Sequence, residues 1–339
     1  MKFNFPDNAT FLNGVLKNFG QKYPVDIDTL KPQENLIEID KLSYFYTYLG
    51  ASSGNKGGNS IVLRLFESQS IDTDDPDYSE PDKILKISKY PIQKFGSNRP
   101  EKRFKKEIES LFNCKRNSFQ NVIDIFQFGI CRVRNVKDRS RFDDHLFYTM
   151  EFAQNDLKSY IEQNHVNMGT EEKLGLCLSL SEGLKELNSL GYYHRDIKPD
   201  NIFMIGDRWK IGDLGLINER NTTDQLDSMA DFIGPKGWIS PEAMNKYLCE
   251  GKGYDFRHNF EIDHQSDIFQ LGKVFWYIFQ HNAPIGSISE SDFLIKNSSI
   301  YSLIRTMLNY SKTKRFKHIN EVITLLKKCE EKNLRQLVA

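Results

Sequence analysis

The sequence predicts an α+β fold of two lobes, a small β-rich one followed by a larger and mostly helical one. Three observations carry that expectation. Between Leu36 and Lys89 aromatic, aliphatic and β-branched residues come in short strand-like runs, and beyond Asn155 apolar residues recur at helical spacing. The chain's 339 residues are about two domains' worth at ~150 residues each. Residues 1–35 read as an N-terminal extension, 36–153 as the small lobe with its hinge, and 154–339 as the large lobe. A cleft between two lobes is where a ligand is expected.

The extension mixes Asn, Asp, Pro and Lys with one short periodic piece, Phe11, Val15, Leu16 and Phe19, which could be a turn or two of helix. Three strands follow, at Ser43–Leu49, Ile61–Leu65 and Lys83–Ile87. A glycine-rich loop from Gly50 to Ser60 separates the first two, and an acidic insertion from Glu67 to Asp82 separates the second and third. Asn98 and Pro100 open a helix whose Phe104, Ile108, Leu111 and Phe112 fall on one face. Further strands are expected at Val122–Phe126 and Leu146–Met150, and helices at Glu171–Leu190, Asp267–Phe279 and Ile319–Lys328.

Composition excludes some functions. With 46 Lys+Arg against 46 Asp+Glu the chain has no net charge, which argues against general nucleic-acid binding. Its densest apolar run, Val274–Phe279, falls far short of the ~20 residues of a membrane span, so no membrane partner is expected. The N-terminus lacks the apolar core of a secretory signal. Five widely spaced cysteines without a C-x-x-C pair suit a reducing, cytoplasmic setting.

The chemistry concentrates after the long helix. Tyr193-His194-Arg195-Asp196-Ile197-Lys198-Pro199-Asp200-Asn201 leads into the apolar pair Ile202-Phe203, and Gly212-Asp213-Leu214-Gly215 follows the strand-like Trp209-Lys210-Ile211. Two loops beside short strands thus carry Asp196, Lys198, Asn201 and Asp213. Asn and Asp oxygens suit Mg²⁺, which keeps waters and binds substrate phosphates as well. A base, a positive charge and a hard-cation site together are the equipment of phosphoryl transfer.

At these residues the chain resembles the eukaryotic-type protein kinase family. His194-Arg195-Asp196 through Asn201 reproduces its H-R-D-x-x-x-x-N catalytic loop, Asp213-Leu214-Gly215 stands where the family has D-F-G, and Ser240-Pro241-Glu242 stands where it has A-P-E. Asp267 looks like the buried aspartate that supports the catalytic loop, and Arg315 like the partner of Glu242. The resemblance runs from about Leu36 to about Lys328 and implies the bilobal protein kinase-like fold.

It also implies roles, with ATP and Mg²⁺ as cofactors. Asp196 would take or orient the proton of a substrate hydroxyl, Lys198 would neutralise the γ-phosphate, and Asn201 with Asp213 would hold magnesium. Lys86 resembles the lysine that grips the α- and β-phosphates, with Glu107 as its helix partner and Glu109 second. Met150 reads as gatekeeper, and the backbone of Glu151 and Ala153 would bind adenine. Leu49, Gly50, Gly54, Gly57 and Val62 complete the expected nucleotide site.

The chain departs from the family in three places. The glycine loop has no clean G-x-G-x-x-G, and Leu214 replaces the phenylalanine of D-F-G. Pro235 stands where Ser/Thr kinases usually have a threonine that hydrogen-bonds the catalytic Asp and Lys, so that bond must be absent or replaced. Pro235 and Trp238 look more like tyrosine kinases, whereas Lys198 and Pro199 resemble Ser/Thr kinases. Lys198 touches the chemistry more directly, so the expected function is transfer to protein Ser/Thr hydroxyls, with autophosphorylation. Tyrosine or dual specificity is the alternative.

A pseudokinase scaffold is a further alternative, supported by the irregular glycine loop and opposed by the presence of Lys86, Asp196, Asn201 and Asp213. A small-molecule phosphotransferase is disfavoured by Ser240-Pro241-Glu242 and Arg195. Arg195 resembles the arginine that pairs with an activating phosphate. Thr222, Thr223 and Ser228 are the hydroxyls available for one, and Asp231 is expected as a fixed carboxylate in its place.

Overall fold

The computed structural model describes residues 3–11, 36–49, 59–67, 81–93, 95–134, 140–220, 226–228, 231–251, 259–295 and 297–338. The chain forms two compact units. The first comprises Met1–Lys115 and Asp124–Phe152, and the second Arg116–Ile123 and Ala153–Ala339. Among the described residues no helix is long and apolar enough to cross a membrane.

The first unit is built from β1 (Asp7–Phe11), β2 (Leu36–Ile39), β3 (Leu42–Tyr48), β4 (Ser60–Glu67), β5 (Lys83–Pro91), α1 (Arg99–Arg116), β6 (Ile125–Arg134) and β7 (Phe142–Met150). The strands close into a barrel in the order β1-β2-β3-β4-β5-β7-β6. Alternation sets which side chains fill it: Ile37 and Ile39, Tyr44 and Tyr46, Leu63 and Leu65, and Leu85 and Ile87 are all buried in one cluster with Phe147. Helix α1 starts as its sequence asks. Asn98 Oδ1 accepts the Glu101 amide at 2.9 Å, and Phe104, Ile108 and Leu111 are buried.

The barrel is closed by a strand that the sequence pattern did not reveal. Phe11, read as the start of a helical piece, lies in β1, which pairs antiparallel with β2 and parallel with β6. Alternation explains the difference, since Ala9 and Phe11 face the core while Asp7 is exposed. Val15, Leu16 and Phe19 lie outside the described residues, as do residues 68–80 of the acidic insertion.

The second unit holds β8 (Asn155–Asp156), α2 (Leu157–Asn164), α3 (Thr170–Ser189), β9 (Tyr192–Tyr193), β10 (Ile202–Ile205), β11 (Arg208–Ile211), β12 (Asn218–Glu219), α4 (Pro241–Cys249), α5 (His264–Gln280), α6 (Ser298–Met307) and α7 (Ile319–Val338). Of these helices, α3, α5 and α7 were legible from their apolar spacing, whereas the shorter α2, α4 and α6 were not singled out. The strands pair as β11-β10-β8 and β12-β9. The expected strand at Val122–Phe126 is divided: β6 begins at Ile125, while Val122 bridges to Ile211 in the second unit.

Helix α5 is fixed at both ends. Asp263 accepts the Gln265 amide at 2.9 Å in a capping box with Ser266, and His281 ends the helix in the left-handed region at φ 56°. Between the caps, Val274 to Gln280 are all buried.

The seat of the N-terminal segment leads to a test. Ile130 donates its amide to Pro6 O at 2.7 Å, and a Cβ on Gly129 would lie 2.4 Å from that same carbonyl oxygen and 2.0 Å from Asn8 Oδ1. Gly129→Ala should therefore cost about 1–3 kcal/mol of stability by overpacking. Thermal unfolding should show the loss, and limited proteolysis should cut residues 3–11 faster; an unchanged melting temperature would contradict this seating.

Candidate active site

Residues 194–201 form a loop whose path is set from α5. Asp267, fully buried, accepts the His194 amide on Oδ2 and the Arg195 amide on Oδ1, both at 2.8 Å. Burial pushes its carboxyl up to about 7, and the two amide hydrogen bonds work against that rise. His194 is also fully buried, which lowers its ring to about 4. Its Nδ1 lies 3.2 Å from the Asp196 amide and its Nε2 lies 3.0 Å from Gly212 O. Those partners select the neutral tautomer protonated on Nε2.

Asp196, Lys198 and Asn201 converge. Lys198 Nζ donates to Asp196 Oδ2 at 3.2 Å, and Asn201 Nδ2 donates to the same oxygen at 2.8 Å and to Asp196 O at 2.9 Å. Burial raises the Asp196 carboxyl to about 6, with Lys198 opposing and the charge of Asp213 adding to the rise. Asp213 thus stands within electrostatic reach of Asp196. The Gly212 amide, bonded to Asn201 O at 2.9 Å, ties the two loops together. Arg195 and Asp213 both adopt positive φ, at 67° and 56°. Leu214 is fully buried, an apolar role that leucine fills as well as phenylalanine.

The donor set suits magnesium by its chemistry. Among the described residues no three His, Cys, Asp or Glu side chains gather as a metal cluster. Mg²⁺ needs no such cluster, because one or two protein oxygens plus water and phosphate complete its shell. Asn201 presents Nδ2 to Asp196, which turns its Oδ1 the other way, and Asp213 brings a carboxylate on the loop tied to it.

The first unit carries its own predicted pair. Lys86 Nζ meets Glu107 Oε1 at 2.7 Å, so the helix partner is Glu107. Tyr148 donates its hydroxyl to the same oxygen at 2.9 Å. Val62 is the register partner of Lys86 across β4 and β5, and the exposed Leu49 donates its amide to Val62 O at 3.2 Å. The Glu151 amide is engaged with Asp124 O at 3.3 Å, and its carboxylate accepts the Asp124 amide at 2.8 Å. Ala153 starts the longer of the second unit's two segments and is half-buried. Gly50, Gly54 and Gly57, and likewise Thr222 and Thr223, lie outside the described residues.

Glu242 and Arg315 form the expected buried ion pair at 2.8 Å, and Ser266 Oγ donates to the other Glu242 oxygen at 3.1 Å. The carboxylate on Arg195 is that of Asp227, which both guanidinium NH groups engage, while Arg195 Nε donates to Leu216 O at 2.7 Å. This corrects the expectation for Asp231, whose carboxylate instead accepts the Ser228 amide at 2.6 Å. Pro235 starts a turn in which the Trp238 amide donates to Pro235 O at 3.0 Å, and the Trp238 ring stands edge-on to Tyr277 at 5.7 Å.

Sequence reasoning missed Tyr148, Asp227 and Gln270. Gln270 had a signal: it is an amide in the apolar run Ile268-Phe269-Gln270-Leu271, one turn after Asp267. Tyr148 was hidden in a strand rich in aromatics. Asp227 is one of several acids on its segment, and nothing in their order singles it out.

Two measurements check this geometry. The His194 ring should stay neutral and protonated on Nε2 down to about pH 5 in ¹⁵N NMR, because its folded value lies below the unfolded ~6.5; a midpoint near 6.5 would refute the burial argument. Arg195 is 2% exposed in its side chain, so Asp227→Ala strands a buried charge and should cost about 3–5 kcal/mol. Asp231→Ala, which leaves the Arg195–Asp227 pair in place and strands no buried charge, should cost less in the same denaturant titration.

Residues 83–336 match the family model described as protein kinase domain. Among curated relatives, the serine/threonine-protein kinase cds1 of Schizosaccharomyces pombe is 29% identical over 180 residues, covering 51% of this chain and 36% of that protein. The serine/threonine-protein kinase KSP1 of Saccharomyces cerevisiae is 28% identical over 196 residues, 55% of this chain and 18% of that protein. The discoidin domain-containing receptor tyrosine kinase B of Caenorhabditis elegans is 27% identical over 203 residues, 59% of this chain and 22% of that protein. The chain thus spans about a third or less of the length of these relatives. The family model covers most of the chain, and the protein belongs to the protein kinase family.

Proposed function

We propose that the chain is an ATP-dependent protein kinase that transfers the γ-phosphate to serine and threonine hydroxyls of protein substrates and of itself. The observation that carries this reading is the Asp196 carboxylate, held by Lys198 Nζ at 3.2 Å and Asn201 Nδ2 at 2.8 Å in a loop anchored by Asp267. In the step itself, the substrate oxygen bonds to the γ-phosphorus as the bond to the β–γ bridging oxygen breaks. The hydroxyl proton passes to Asp196 Oδ and ADP leaves.

Lys198 would bring its ammonium to the negative charge on the transferred group. Lys86, oriented by Glu107, would hold the α- and β-phosphates, with Leu49, Val62 and the backbone of Glu151 and Ala153 around the nucleotide. Asn201 and Asp213 would hold Mg²⁺, which neutralises phosphate charge when bound. The work of the protein is placement and electrostatics rather than covalent chemistry. On this reading the first unit is the small lobe and the second the large lobe of the kinase fold.

Lys198 supports Ser/Thr preference, since its Nζ already sits on Asp196, and two of the three relatives above carry serine/threonine-protein kinase in their names. A cytoplasmic setting is supported by five cysteines that are all free thiols.

The test is phosphosite mapping by mass spectrometry after incubation with ATP and Mg²⁺, comparing wild type with Asp196→Ala and Asp213→Asn. Phosphoserine and phosphothreonine should form with wild type, and each variant should lose about 10²–10⁴-fold in rate. Phosphotyrosine alone would reject the Ser/Thr preference. No transfer by wild type, and no effect of either substitution, would replace the enzyme with a nucleotide-binding scaffold.

A further inference from the structure

The loop that carries Asp196 has a second clamp. Helix α5 places Asp267 and Gln270 one turn apart, on the same face. Asp267 takes the amides of His194 and Arg195; Gln270 takes the next stretch. Its Nε2 donates to Arg195 O at 3.1 Å and its Oε1 accepts the Ile197 amide at 3.0 Å. The side chain is buried, at 2% exposure for the residue.

Two peptide groups flank Asp196, and together they carry four polar groups. The peptide before it offers Arg195 O and the Asp196 amide; the peptide after it offers Asp196 O and the Ile197 amide. The Asp196 amide goes to His194 Nδ1 and Asp196 O accepts from Asn201 Nδ2. Gln270 alone takes the other two. All four groups are therefore bonded, half of them by one side chain whose two ends are fixed in opposite polarity. Buried peptide groups need such partners, and an amide is the side chain that can accept and donate at once.

In the neighbouring segment Gly234 has φ +117°, and a Cβ there would lie 3.3 Å from both Arg195 O and Gln270 Nε2. The segment therefore runs directly over this hydrogen bond.

We propose that Gln270 is a positioning residue for Asp196, pinning both flanking peptide groups from the buried face of α5. The inference rests on the reading of Asp196 as the base. Its bland competitor is a buried glutamine that merely satisfies itself in the core.

Gln270→Met, similar in shape and without polar ends, separates the two. Peptide phosphorylation should show kcat falling at least tenfold, while the KM for ATP and the calorimetric Kd for Mg·ATP stay within twofold of wild type. In amide hydrogen exchange, Ile197 should lose protection while His194 and Arg195, still held by Asp267, keep theirs. Gln270→Glu, which keeps an acceptor and loses the donor, should leave Ile197 protected and still lower kcat.

A Gln270→Met enzyme with kcat within twofold of wild type overturns the proposal. So does a fall in kcat that tracks the melting temperature with protection lost evenly across residues 194–197. If the wild type transfers no phosphate, the kinase reading fails by itself, and the selective loss at Ile197 still decides whether Gln270 clamps the loop.

Discussion

Asp267 uses both carboxylate oxygens on the backbone amides of His194 and Arg195, and the rest of the second unit's chemistry hangs on the chain path those bonds fix. Removing a carboxylate from water is costly, and burial alone would keep this one protonated near neutrality. Two amides aimed at the charged form oppose that tendency. The carboxylate can hold the loop only because it is itself immobile, and α5 supplies that through a capping box at its start and a buried run to its end. Rigidity in the helix thus becomes placement in the loop.

Two buried ion pairs do comparable work elsewhere. Lys86–Glu107 joins β5 to α1, and Glu242–Arg315 joins the start of α4 to the chain between α6 and α7. Such pairs contribute little net stability, because desolvation offsets most of the attraction. Their effect is geometric: a buried charge tolerates only the arrangement that keeps it paired. Tyr148 sharpens this for Glu107 by taking a fixed share of its Oε1. Arg315 is held further, with Nε on Asn309 O and one NH group on Gln265 O, so the start of α4 is tied to two later parts of the chain.

The parts of the site that were legible in the sequence are those where chemistry dictates residue type along consecutive positions. His194 to Asn201 supplies carboxylate, ammonium and amide within one loop, and no fold-level information is needed to see it. Helices with clean apolar spacing, such as α1 and α5, were legible for the same local reason. What stayed hidden depends on distance in sequence. Tyr148 is 41 residues from Glu107, Asp227 is 32 from Arg195 and Gln270 is 75 from Arg195. Composition near each of them carries no mark of its partner. Strand β1 was missed because five residues, Asp7 to Phe11, are too few to show a period, and what makes them a strand is the pairing offered by β2 and β6.

The backbone explains why a loop of eight residues has so many tethers. Arg195 at φ 67° and Asp213 at 56° occupy the left-handed region without being glycine, a conformation that costs of order 1–3 kcal/mol each and persists only where the surroundings over-determine it. Both are over-determined here. Arg195 has its amide on Asp267, its carbonyl on Gln270 and its guanidinium on Asp227 and Leu216 O. Asp213 follows Gly212, whose amide and carbonyl are bonded to Asn201 O and His194. A glycine at either place would relieve the strain, but position 213 would then lack its carboxylate and position 195 its link to Asp227. The strain is the consequence of asking one residue both to turn the chain and to present a functional side chain; the hydrogen bonds from α5 make the two compatible at Arg195, and those between the two loops do so at Asp213.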